Sequence, residues 1–363
     1  IRDSYKVEQE LIKNWLLDEN AAFTPLEFTL KVWAAFSGDT LGPSASDAIE
    51  AYIRRATFET PNSREALEEA AFNLLTSSKS VFDPKQIHNF NAFEDIAESG
   101  IVIKHTNSQY SIINPEITGY LAASSLAVNN NADTIEHSPA WALSETTTTY
   151  LAALGDITPL VTSYLAESDD PLLLKPFRAA RWLRHTAQNP HWKSSTLRYF
   201  ADVLQREKYS FGLRTKAVTA LATSGASGVT TLFSQLLNSQ DEDIRLLAIF
   251  GLGILRDKLL LPQVEAMTND PSELVSRAAV LAMRSIGNNQ ALEGIATALL
   301  HGSEEVRRTA AEALASHPAE GYASLKDGLQ NDDLMVRRAV VFGLIQVKEA
   351  WAVKLLEKSA VED

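Results

Sequence analysis

Between Leu213 and Leu344 one apolar pattern recurs five times. Its anchors are Leu213, Ile244, Val275, Val306 and Val336, separated by 31, 31, 31 and 30 residues. Four residues after each anchor stands Ala217, Ala248, Ala279, Ala310 or Val340; seven after, Ala220, Gly251, Ala282, Ala313 or Gly343. Eight after comes Leu221, Leu252, Met283, Leu314 or Leu344. At about 100° per residue these offsets share one arc of a helix, with small residues where backbones must approach. A fixed period of this length predicts a solenoid of helix pairs, each burying its apolar face only by stacking on its neighbours. Arg214, Arg245, Arg307 and Arg337 directly follow four anchors, near loops such as Gln240-Asp241, Ser303-Glu304 and Asn331-Asp332-Asp333. A ladder is expected, in which each Arg meets a loop or capping oxygen of its own or the adjacent repeat.

Upstream the pattern is less regular. Val7, Leu11, Trp15 and Leu16 predict a helix from Tyr5 to about Asp18. Thr24-Pro25 starts a second, running through Leu30, Val32 and Trp33 to Gly38. Pro43-Ser44 opens a third, with Ala48, Ile49, Tyr52 and Ile53 inward and Arg54-Arg55 at the end where cations suit the helix dipole. Between Pro61 and Asn114 the predicted order is helix, helix, hairpin. Ser63 caps the first of these, with Ala70, Ala71, Leu74 and Leu75 inward, and the second runs from Phe90 to Ser99 and stops at Gly100. Ile101-Val102-Ile103 and Tyr110-Ser111-Ile112-Ile113 are the strands, joined through Thr106-Asn107-Ser108-Gln109.

This order is the outline of a winged helix. The helix that would enter a DNA groove carries Glu94, Asp95 and Glu98 and no Lys or Arg, so phosphates would be repelled. Asn129-Asn130-Asn131 marks a joint, after which Ser138–Leu154 with Ile157–Glu167, and Leu172–Ala187 with Trp192–Gln205, lead into the regular array. Trp182 and Trp192 are expected to pack there, and Thr146-Thr147-Thr148-Thr149 to form a helix face tolerant of β-branching. The expected architecture is mainly α: a helical subdomain over residues 1–60, a winged-helix-like domain and connecting helix over 61–128, and a right-handed α-solenoid over 138–363.

Glu305-Val306-Arg307-Arg308-Thr309-Ala310-Ala311-Glu312-Ala313-Leu314 and Leu334-Met335-Val336-Arg337-Arg338-Ala339-Val340 resemble HEAT repeats, in the short variety of phycobilisome-lyase-type proteins. Position 276 departs from that pattern, with Ser276 in place of Arg and Arg277 one step later. The resemblance implies a binding scaffold, since only a few such folds act as lyases. The first 127 residues are similar to the region after the nucleotide-binding core of NACHT-type STAND NTPases. They share a helical subdomain, a winged helix and then a Phe-Gln-Glu-Tyr-Leu-Ala-Ala-like helix, matched at Tyr120-Leu121-Ala122-Ala123.

That second resemblance implies a phosphate-sensing His at a place held here by Asn114, whose amide donates a hydrogen bond but has no switchable charge. It also implies an adenine contact at Pro25; read alone, Pro25 is a helix-starting proline. ATP or ADP would then be the cofactor of a longer parent protein with its P-loop core before Ile1. No Gly-x-x-x-x-Gly-Lys-[Ser/Thr] occurs in the sequence, so these residues are expected neither to hydrolyse ATP nor to form an enzyme.

Composition changes this picture little. The 363 residues are 45% hydrophobic and 22% charged, the usual balance of a globular protein. A net charge of −13 argues against a general phosphate-backbone binder. Zero cysteines exclude thiol chemistry, and no secretory signal or membrane-length apolar run appears, so a cytoplasmic location without membrane contact is expected. The seven His residues show no metal-ligand spacing, and no Gly-x-Ser-x-Gly is present.

Recognition is expected where the repeats diverge. Offsets +2, +6 and +9 point away from the core arc: Leu246, Phe250 and Gly253; Arg277, Leu281 and Arg284; Arg308, Glu312 and Ala315; Arg338, Phe342 and Ile345. The anchor-bearing helix of a HEAT pair lines the concave side, so these residues would form an apolar and cationic stripe, unless Leu246, Phe250 and Leu281 are covered by the next helix. Its expected partner is a protein or peptide, with nucleic acid on the local Arg stripe as a second candidate. Two functions follow: a sensor and regulatory region of a NACHT-type signalling ATPase, or a free-standing HEAT scaffold or bilin-lyase-like protein.

Overall fold

A computed structural model describes residues 24–39, 41, 46–58, 62–89, 91–129, 131–132, 134–138, 141–166, 170–185 and 190–362. The helix expected from Tyr5 to Asp18, the Pro43-Ser44 start and Phe90 lie outside these residues. Packing divides the chain into two compact units, Ile1–Thr196 and Leu197–Asp363.

In the first unit α1 spans Pro25–Phe36, and Thr24 closes its N-terminus with a capping box: its hydroxyl accepts from Glu27 N while the Glu27 carboxylate accepts from Thr24 N. The next helix, α2 (Ser46–Ala56), ends in Arg54 and Arg55, which both bind Asp39. Helix α3 (Ser63–Ser77) corrects one expectation. Ser63 is its first residue rather than its cap, and its hydroxyl donates to Thr57 O because Asn62 enters the helix at φ 59°.

After α4 (Ala92–Glu98) come β1 (Val102–Lys104) and β2 (Tyr110–Ile112), paired antiparallel with Val102 opposite Ile112. Phe82 adds a bridge to Tyr110 that the sequence did not announce, and the rings of Phe82, Phe93 and Tyr110 pack together 5.1–6.3 Å apart.

Helix α5 (Pro115–Asn129) packs closely along α7 (Ala142–Leu154), past the short α6 (Thr134–His137). The close approach needs Gly119: a Cβ there would sit 2.5 Å from the Thr146 methyl. Thr146, Thr148 and Thr149 donate to carbonyls four residues back, while Thr147 and Thr148 are fully buried. The unit continues with α8 (Thr158–Ala166) and α9 (Leu174–Trp182). Trp182 and Trp192 are both wholly buried, in the packing role expected of them.

Charged and hydroxyl groups tie these helices together. Arg64 donates to both oxygens of Glu50, at 2.6 and 2.9 Å, and to Glu68 at 3.0 Å. Tyr120 and Ser124 of α5 donate to the same two carboxylates. The Tyr150 hydroxyl lies 3.0 Å from Glu116 and 3.4 Å from Glu27, and its ring meets Tyr120 edge-on. Every charge in this partly buried network has an opposite charge or a hydroxyl beside it, as burial of charge requires.

The unit boundary falls inside α10 (His191–Gln205). Five helix pairs follow: α11 (Phe211–Ala222) with α12 (Gly228–Leu236), α13 (Glu242–Leu255) with α14 (Leu261–Ala266), α15 (Glu273–Ile286) with α16 (Asn289–His301), α17 (Glu304–Leu314) with α18 (Glu320–Gly328), and α19 (Leu334–Gln346) with α20 (Ala350–Glu362). The anchor-bearing helices α11, α13, α15, α17 and α19 pack on one another in that order. All +4 and +8 side chains are buried. So are the anchors Val275, Val306 and Val336, whereas Leu213 and Ile244 are half-buried. Gly343 marks a close backbone approach between α17 and α19, since a Cβ there would lie 2.6 Å from the Ala311 carbonyl oxygen.

The arginine ladder is present and has a direction. Arg214 donates to Leu204 O and to Asp243 of the next repeat; Arg307 donates to Gly302 O and to Asp333 of the next repeat. Arg245 binds the carbonyls of Ser239 and Gln240 and grips Asp270. Arg337 binds the carbonyls of Asn331 and Asp332. Where Ser276 replaces Arg, its hydroxyl turns back to the carbonyls of Asp270 and Ser272.

Candidate interaction surface on the repeat array

Three parallel rows run across the anchor-bearing helices of the second unit. At their first turns stand Glu242, Glu273, Glu304 and Glu305, where acids complement the helix dipole. One turn on, at +2, come Leu246, Arg277, Arg308 and Arg338; another turn on, at +6, come Phe250, Leu281, Glu312 and Phe342. Helical geometry puts residues four apart on one face, and stacking of the helices extends each row along the array.

Leu246 and Phe250 are half-buried, whereas Leu281 is 45% and Phe342 39% exposed, so the next helix does not cover them. Arg277 is half-buried; Arg284, Arg308 and Arg338 are exposed. Ile345 is exposed and Ala315 is buried, so the +9 positions do not form a row.

Each arginine of the +2 row reaches a neighbouring repeat. Arg277 Nε donates to Thr309 Oγ1 at 3.1 Å. The Arg308 guanidinium lies over the Phe342 ring at 4.4 Å, and its Nε donates to Glu312 at 3.2 Å. Arg338 Nη2 is 3.7 Å from Glu304. Between α17 and α19 a shallow cleft of about 60 Å³ is lined by Glu304, Glu305, Arg308, Met335, Arg338, Ala339 and Phe342. Glu304, Glu305 and Met335 line the cleft although they stand outside the +2 and +6 rows, while Thr309, which accepts from Arg277, is buried. The acids at the helix starts were their only sequence signal.

Arg284 sits apart from the cleft, near His317. Burial of the His317 ring and the Arg284 charge hold that imidazole below its ordinary pKa.

The two residues considered for nucleotide contact have structural roles in the first unit. Pro25 is the exposed first residue of α1. Asn114 Oδ1 accepts from Glu116 N at 2.8 Å, so its amide caps α5. Among the described residues no group of three or more His, Asp or Glu is placed to hold a metal, and no helix is long and apolar enough to cross a membrane.

With this geometry in place, comparison with known proteins bears on the repeats. Residues 229–315 match the HEAT repeats family, which lies inside the array described above. Residues 229–315 are thus similar to HEAT repeats. No curated protein matches the sequence. Among solved structures, a designed armadillo repeat protein in complex with the peptide (KR)4 is 20% identical, covering 53% of this chain and 99% of its own, at a TM-score of 0.31. A computationally designed armadillo repeat protein for modular peptide recognition is 18% identical, covering 53% and 100%, at 0.30. Human deoxyhypusine hydroxylase in complex with glycerol is 15% identical, covering 64% and 83%, at 0.23. Likeness at this level assigns neither ligand nor activity.

Proposed function

We propose that this chain is a non-catalytic sensor and interaction region whose repeats recognise a protein or peptide, within a NACHT-type signalling ATPase. The observation that carries the recognition half is the continuity of the +2 and +6 rows. Leu281, Arg308, Arg338 and Phe342 are exposed across three successive helices, and the rows are joined repeat to repeat through Arg277–Thr309 and Arg308–Phe342. Exposed apolar groups beside held guanidinium groups are what a protein partner requires. Glu304, Glu305 and Glu312 stand among the arginines and disfavour a nucleic-acid phosphate backbone.

Support for the signalling half lies in the element order of the first unit. Helix α3, the Phe82 bridge, α4 and the β1–β2 hairpin follow the sequence of a winged helix, and the helix carrying Tyr120-Leu121-Ala122-Ala123 comes next. In that reading Pro25 and Asn114 would face a nucleotide bound by the ATPase core.

The test is site-specific photocrosslinking in the full-length gene product in its native cells. A photoreactive residue in place of Phe342 should capture a partner, and one in place of the off-stripe, 86%-exposed Leu259 should not. Equal capture at both positions, or none at Phe342, would remove the stripe. A full-length product that binds no ATP analogue would remove the NACHT context and leave the scaffold reading.

A further inference from the structure

Between Asp170 and Asp202 the sequence holds six Lys and Arg residues and no acidic residue, on a chain whose net charge is −13. Helix α9 and the tight turn that continues it, Leu183–His185, lie in this stretch. At about 100° per residue, the buried Pro176, Ala179, Ala180 and Trp182 take one side of α9, and Leu174, Phe177, Arg178 and Arg181 fall together on the other. Arg184 stands one turn beyond Arg181 and is exposed. The outer face thus presents three guanidinium groups and two apolar side chains, with no carboxylate from its own helix.

Neighbouring acids do not cancel these charges. Glu145 of α7 accepts from Arg178 Nε at 2.6 Å, while Arg181 Nη1 stays 3.9 Å from its other oxygen. Arg178 Nη1 also donates to the Tyr164 hydroxyl, so that arginine is tied down. By contrast the Arg181 side chain is 75% exposed, and Arg184 has neither a hydrogen bond nor an ion pair among the described residues. Asp170 is turned to the backbone, accepting from Leu172 N and Lys175 N. One carboxylate faces three guanidinium groups, and two of the three remain for a partner.

The apolar groups decide what kind of partner. Leu174 is 65% exposed, Leu172 is exposed beside it and Phe177 is half-buried. A nucleic-acid backbone is bound through its phosphates and sugars and makes no use of such side chains. An anionic membrane would meet the Asp170 charge where the two leucines enter. Arginine beside apolar and aromatic groups is instead the composition of a protein interface, and opposite charge on the partner steers the encounter.

We infer that the outer face of α9 docks an acidic segment of a protein partner that carries apolar residues among its carboxylates. The carboxylates meet Arg181 and Arg184, and the apolar residues lie on Leu174 and Phe177. The Arg178–Glu145 pair marks the edge of the face and stays intact. This surface belongs to the first unit and does not rest on the +2 and +6 rows.

Binding assays with the full chain test this. The probes are a labelled peptide of Glu, Leu and Phe, a second peptide with Ser in place of Leu and Phe, a labelled single-stranded oligonucleotide, and vesicles containing phosphatidylserine. The first peptide should bind about 10-fold tighter than the second, and Arg181→Ala with Arg184→Ala should weaken it by about 10-fold without moving the thermal melt. Arg308→Ala with Arg338→Ala should leave its affinity unchanged. Equal binding of the two peptides would overturn the apolar half and reduce the face to an unselective cationic patch. Tighter binding of the oligonucleotide or the vesicles, lost with Arg181 and Arg184, would overturn the protein partner. No binding of the first peptide, or binding that ignores the α9 substitutions, would overturn the docking face itself.

Discussion

Arg245 holds Asp270 with two parallel hydrogen bonds, Nε to Oδ2 at 2.8 Å and Nη2 to Oδ1 at 2.9 Å, and so joins one repeat to the next. The side chains are 12% and 3% exposed, which makes this the most enclosed rung of the ladder. Burial would raise the Asp270 pKa, but the Arg245 hydrogen bonds, the Ser272 N–H and the Arg245 charge outweigh it and hold the carboxyl below its ordinary value.

Breaking that rung should be costly. Arg245→Ala leaves a buried carboxylate without its partner and is expected to destabilise the second unit by about 3 kcal/mol. A denaturant titration of the variant against the parent measures it.

The same rung sets a pH dependence. Because the folded pKa of Asp270 is depressed, its contribution is fully present above the unfolded value, about 3.9, and is lost as pH falls through the folded value. The stability advantage of the parent over Asp270→Asn should thus be constant from neutral pH down to about pH 5 and shrink below about pH 4. Chemical denaturation of both proteins across that range gives the difference directly.

Ala310 is wholly buried in the +4 row. Ala310→Asp introduces a carboxylate with no partner and should cost ~3–5 kcal/mol, melting the array locally. Hydrogen exchange should lose protection first in α15, α17 and α19.

At Gly343 the obstacle is backbone rather than a movable side chain, since Ala311 O stands 2.6 Å from the site of a Cβ. Gly343→Val should force α17 and α19 apart at a cost of about 1–3 kcal/mol. A thermal melt equal to the parent's would show that the helices separate freely there.

Arg308→Ala and Arg338→Ala should leave stability within about 1 kcal/mol of the parent, because both side chains are about half exposed and their ion pairs lie at the surface. A much earlier melt would make those arginines structural and the stripe misassigned.

The repeat period, the buried +4 and +8 rows and the existence of an arginine ladder could all be read from the order of the residues. They depend on helical geometry and on the 30- to 31-residue step, which are local or strictly periodic quantities. The helix start at Thr24-Pro25 was legible for the same reason, being a local signal; that Glu27 closes the cap is seen only in the fold.

Only the folded chain decided which groups meet across repeats. That Arg245 takes Asp270, that Arg277 reaches Thr309 and that Arg308 lies on Phe342 all depend on how one helix stacks on the next. Likewise Phe82 finds Tyr110 and Gly119 admits Thr146 through packing between segments distant in sequence. Periodicity fixes the direction a side chain leaves its own helix, but its partner is chosen by a neighbour whose offset and tilt no single helix encodes.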